Sequence, residues 1–74
     1  MNIYVVTRTD AVAREEYAGA VVCAASAEEA KNVNPRAFPD SLLPSEWLPK
    51  NLSVELIGTT PCKSQKCFLS DFAA

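Results

Sequence analysis

The sequence predicts a small α+β domain: a mainly antiparallel sheet of about four strands, in chain order β-β-α-β-β, with one short helix packed on one face. Three observations carry this. Ile3, Val5 and Thr7 alternate with Tyr4, Val6 and Arg8. The apolar run from Tyr17 to Ala25 leads straight into a capped helix start at Ser26. Leu52, Val54 and Leu56 alternate with Ser53, Glu55 and Ile57. Period-two alternation rich in β-branched and aromatic residues marks strands, because successive side chains leave opposite faces of a pleated chain. With 74 residues, the chain makes one domain spanning 1–74.

The first strand begins beside Met1. Asp10 to Glu16 is polar, with Arg14, Glu15 and Glu16 together, and reads as an exposed connection. In the second strand Ala20, Val22 and Ala24 point one way, and Val21 and Cys23 the other. Both sets are apolar, which places this strand centrally. Ser26 is a good N-cap, since its hydroxyl can accept from a first-turn amide that has no partner within the helix. Glu29, three residues on, can reach back to the Ser26 amide and complete a capping box. Glu28 and Glu29 also set negative charge at the positive end of the helix dipole. Asn34-Pro35 stops the helix after about two turns, because the residue before proline avoids the helical region. Packing through Ala27, Ala30 and Val33 is expected to hold it.

Residues 35–50 carry Pro35, Pro39, Pro44 and Pro49, so no regular element can run far through them. Yet Phe38, Leu42, Leu43, Trp47 and Leu48 lie there, with one helical turn expected at Ser45–Leu48. A connection this long usually covers something or binds something. The Leu52–Ile57 strand follows. Gly58 to Lys66 has a loop composition, and Cys67-Phe68-Leu69 forms a short last strand, with Phe72 tucking back onto the core.

Composition narrows the function classes. Leu, Ile, Val and Phe supply 18 of the 74 residues, enough for a folded chain but only a thin core. Seven basic residues stand against nine acidic ones, with no basic stripe, so direct nucleic-acid binding is not expected. No apolar run approaches the ~20 residues of a membrane helix, and no leader pattern precedes the first strand, so a cytoplasmic location is expected. There is no histidine, and the two glycines, Gly19 and Gly58, lie far apart. The commonest general base and any phosphate-cradling glycine loop are therefore missing. No enzymatic activity and no cofactor are expected.

The three cysteines admit two readings. Cys62 and Cys67 could bridge the ends of a turn, or bind metal together with Cys23, although a fourth ligand and the short Cys-x-x-Cys spacing are missing. The favoured reading makes Cys23 a small buried hydrophobe and leaves the other two as ordinary thiols. Glu28-Glu29 is explained by capping. Glu15-Glu16 reads as a solvated turn that could also serve as a charge patch for a partner. Trp47 either lies over the sheet and completes the core, the favoured reading, or stands exposed as an interface anchor.

With these motifs in place, the chain resembles small proteins of phages and prophages. The matching residues are Tyr4-Val5-Val6, Glu16-Tyr17, Val21-Val22, Ser26 with Glu28-Glu29-Ala30, Pro35, Trp47, Val54 with Ile57-Gly58, and Phe68-Leu69-Ser70 with Phe72. The Cys62–Cys67 loop and the Asp71–Ala74 ending depart from that pattern. Such proteins are mostly of unknown function. Many of their size act by stoichiometric binding, as the anti-CRISPR inhibitors of bacterial defence do. The resemblance therefore implies a non-enzymatic binding module in the cytoplasm of a bacterial host, blocking a host protein complex such as a CRISPR effector. Its expected contact residues are Glu15 and Glu16 in the acidic turn, and Phe38, Asp40, Leu42, Glu46 and Trp47 in the proline-rich loop. The alternative is a self-associating structural or assembly protein, a homodimer that hides an apolar sheet face. An exposed edge at Cys67 to Ser70 could also pair with a partner strand. A thiol or metal-binding module is the third reading.

Overall fold

The computed structural model describes residues 1–36 and 42–73. Four strands, β1 (Asn2–Arg8), β2 (Glu16–Ala24), β3 (Leu52–Thr59) and β4 (Lys66–Ala73), form one antiparallel sheet in the order β3-β1-β2-β4. One short helix, α1 (Ala27–Ala30), and a 3-10 turn at Pro49–Asn51 lie between β2 and β3. The described fold is mostly sheet. No helix among the described residues is long and apolar enough to cross a membrane.

The strands sit where β-branching and alternation put them. Val6 stands opposite Ala20 and Val54, and Tyr4 opposite Val22 and Leu56. Directly opposed residues share a face, so Tyr4, Val6, Ala20, Val22, Ala24, Leu52 and Val54 line one side. This is the covered face. Its core adds Ala30, Val33 and Trp47 from the connection between β2 and β3. Val6, Val22, Ala24 and Ala30 are fully buried. The alanines on β2 and α1 let the backbone of the connection approach the sheet closely.

The helix is one turn, shorter than the two expected. Ser26 Oγ accepts from Glu29 N–H at 3.2 Å, so the expected cap forms. Asn32-Val33-Asn34 then leaves the helix, and Asn32 uses its side chain to donate to the Glu28 carbonyl. Ala27, expected to pack, is exposed, and Ala30 and Val33 do the packing. In the proline-rich segment, a tight turn places Trp47 N–H on the Pro44 carbonyl at 2.9 Å, and the 3-10 turn feeds β3.

The last two strands differ most from expectation. β3 runs on through Gly58 to Thr59, and the cover does not reach its far half: Leu56 is 58% exposed. β4 spans eight residues rather than three. Two register shifts against β2, at Tyr17/Gly19 and Val21/Val22, hide its alternation. Phe72 meets Tyr17 edge-to-face at 4.9 Å, yet remains about half exposed. Between β3 and β4, residues 60–65 cross the end of the sheet. They are tied at Thr60 to Met1 in both directions, and at Ser64, whose carbonyl accepts from Cys23 Sγ.

Candidate functional site

The second face of the sheet is open. Ile3, Val5 and Thr7 on β1 alternate with the core residues, and Gly19, Val21 and Cys23 on β2 stand opposite them. Leu69 and Asp71 on β4 face Val21 and Gly19. Only Cys23 is buried here, beneath residues 60–65. A groove of about 480 Å³ runs across this side, lined by Val5, Thr7, Gly19, Val21, Leu69 and Asp71 among others. Gly19 shapes its floor. A Cβ at that position would lie 2.9 Å from the Val6 carbonyl oxygen, too close for any side chain. Two central strands therefore present Ile3, Val5 and Val21 outward, where a solvated antiparallel sheet usually carries polar residues.

The acidic turn before β2 is organised from below. Arg8, at the end of the covered face, is buried, a position that charge normally avoids and that sequence reasoning missed. Its guanidinium grips Asp10 in a fork, with Nη2 to Oδ2 at 2.7 Å, and also donates to the carbonyls of Tyr17 and Ala11. Glu16 completes the cluster at 3.4 Å from Nη2 and accepts from Ala13 N–H at 2.9 Å. Paired and hydrogen-bonded, the Arg8 guanidinium is held more firmly charged than usual. The same hydrogen bonds push the Asp10 carboxyl below its ordinary range. Glu15 turns the chain with φ at 63°, a left-handed conformation that costs a non-glycine residue about 1 kcal/mol.

The expected contact residues scatter. Trp47 is 2% exposed and part of the core, which corrects its place on a binding surface and matches its favoured reading as cover for the sheet. Its Nε1 donor has no acceptor among the described residues. Glu16 is engaged internally with Arg8, so it offers a partner little free charge. Glu15 is exposed beside it. Leu42 is 85% exposed, and its carbonyl accepts from the Asn34 and Arg36 side chains. Glu46 is half-buried and accepts from Ser45 Oγ at 3.4 Å. Phe38 and Asp40 lie outside the described residues.

All three cysteines stand as free thiols, with no bridge between Cys62 and Cys67. Cys67 stands opposite Val22 on the covered face, where burial pushes its thiol up. The Cys62 thiol is held below its ordinary range, chiefly by the Thr60 side chain and further by Lys66 and Cys23. Among the described residues no group of three or more Cys, Asp or Glu side chains could hold a metal ion.

No protein-family model matches this chain, and comparison with curated proteins and with solved structures finds no match either.

Proposed function

We propose that this chain is a non-enzymatic protein-binding module whose contact surface is the open face of its sheet. One observation carries the reading: the two central strands turn Val5 and Val21 away from the core, into a groove that the described residues leave uncovered. Val5 and Val21 are half-buried and Leu69 beside them is exposed, and apolar surface left open in this way marks interaction sites. Thr7 and Asp71 at the groove edge supply the few polar groups that fix orientation. The resemblance to small phage proteins directs this binding at a host complex, which the module would block by occupying a surface the complex needs.

The test is co-purification from a bacterial lysate, followed by reconstitution with the purified partner. Val5→Arg and Thr7→Arg place a charge in the groove on side chains that make no core contact. The expected result is loss of the complex with an unchanged circular dichroism spectrum. A reconstituted complex that both variants form as well as the parent would overturn the assignment of the surface.

A further inference from the structure

The β4 strand is an edge: β2 alone pairs with it among the described residues, and its outer row of backbone donors and acceptors has no neighbouring strand. Edges are normally blunted by proline, by short length or by charge. β4 is eight residues long, has no proline, and exposes Phe68, Leu69 and Phe72. It carries two charges of opposite sign, Lys66 and Asp71.

Those charges are placed by the bulge. Five positions separate them, an odd interval that would put them on opposite faces of a regular strand. The extra residue between Val21 and Val22 in the register corrects the parity. Lys66 stands opposite Cys23, Leu69 opposite Val21, and Asp71 opposite Gly19. Cys23, Val21 and Gly19 are successive residues on one face of β2, so Lys66, Leu69 and Asp71 all rise from the open face with Leu69 midway.

We propose that two copies of this chain pair antiparallel along β4, about a two-fold axis through Leu69. An axis normal to the sheet is the symmetry that relates two antiparallel edge strands, and it keeps each face on its own side. Leu69 then meets Leu69 of the second copy. Lys66 meets Asp71 of the second copy, and Asp71 meets its Lys66. The strand is self-complementary in charge, and the two sheets become one of eight strands. The β3 edge lacks this property, since Glu55 is its only charged residue. The pairing shares Leu69 and Asp71 with the groove rim. It is read by self-association of the purified chain, whereas the binding role is read by partner capture with Val5→Arg and Thr7→Arg, so the failure of one is distinguishable from the failure of the other.

Sedimentation velocity from low to high micromolar concentration tests it. The parent is expected to dimerise with rising concentration. Lys66→Glu or Asp71→Lys alone turns two attractive cross-strand pairs into two repulsive ones, raising the dimer Kd roughly 10- to 100-fold. The double variant Lys66→Glu/Asp71→Lys restores the parent Kd. Leu69→Lys, at a 68% exposed position, sets two ammonium groups together on the axis and yields monomer with an unchanged circular dichroism spectrum. A parent that stays monomeric at high micromolar concentration overturns the proposal. So does a dimer whose Kd neither single reversal moves, or a double variant no tighter than the singles.

Discussion

Trp47 is the side chain whose removal is expected to cost this domain most. It is 2% exposed and packs with Tyr4, Val6, Val22, Ala30, Val33 and Leu52. A buried tryptophan hides roughly 150–250 Å², worth about 4–6 kcal/mol at ~25 cal/mol per Å². That area is an upper bound, because the unfolded chain already buries part of it. Measured truncations of this kind cost about 3–5 kcal/mol. A domain of 74 residues has roughly 4–11 kcal/mol in total. Trp47→Ala should therefore remove about half of the stability or more. Trp47→Phe loses ring area, but it also deletes a buried N–H that has no acceptor among the described residues. Such an orphan costs about 1–3 kcal/mol, so this variant should lose about 1 kcal/mol or nothing. Urea unfolding followed by far-ultraviolet circular dichroism separates the two. With a slope near ~1 kcal/mol per molar urea, Trp47→Ala should lower the midpoint by about 3–5 M and Trp47→Phe by about 1 M or less. A Trp47→Ala midpoint within about 0.5 M of the parent would refute the core assignment. It would return Trp47 to the role of an interface anchor.

Two further outcomes follow from other sites. Asp10 is more acidic folded than unfolded, so its pairing with Arg8 stabilises the domain fully above the unfolded carboxylate pKa of about 3.9 and loses that contribution as pH falls through the lower folded value. Asp10→Asn should flatten this acid limb of the melting temperature, and an unchanged limb would count against the pairing. Gly19→Ala gains about 0.4–1 kcal/mol by restricting the unfolded chain, but forces a Cβ to within 2.9 Å of the Val6 carbonyl oxygen. Overpacking of this sort costs about 1–3 kcal/mol, so the net change should be destabilising by about 1–2 kcal/mol, and a stabilised variant in thermal melts would contradict the geometry.

Much of the sheet was legible because its central strands are simple. β1 shows a period-two pattern of β-branched and aromatic residues, and β2 is a continuous run of small and β-branched residues, apolar on both faces. β4 was legible only at Cys67-Phe68-Leu69. Lys66, Ser70 and Asp71 do not alternate in polarity, and the bulges move their side chains between faces in a way that only the partner strand reveals. The helix start at Ser26 was legible from local chemistry, since a cap is made by residues three apart. Its length was not, because a good helix former at Lys31 yields to the tertiary position of the chain. Arg8 was invisible as a core residue. Its burial depends on a turn that folds Asp10, Ala11 and Glu16 back over it, and nothing at position 8 announces that. Trp47 could be read either way, because its burial is decided by where a proline-rich segment crosses a sheet some forty residues earlier in the chain.

The topology explains why one face is left open. β3 pairs with β1 on the side away from β2, so the chain leaving β2 must cross β1 to reach its place. The long connection makes that crossing on the side of Tyr4, Val6 and Val22, carrying α1, Val33 and Trp47 with it. β4 pairs with β2 at the opposite edge, and the chain leaving β3 must cross both central strands in residues 60–65. Six residues can span that width only at the strand ends, where they bury Cys23 and nothing further along the sheet. An open face made this way would cost nothing if its residues were polar, as they are in most one-sided sheets. Here β1 offers Ile3, Val5 and Thr7, and β2 offers Gly19 and Val21, with no charge on either strand's open side. Charge appears only at the flanks, as Glu55 on β3 and Lys66 and Asp71 on β4. An apolar centre with a charged rim is the composition of a contact surface. Under the proposed reading, that composition is why the fold's second face is where a partner is to be sought.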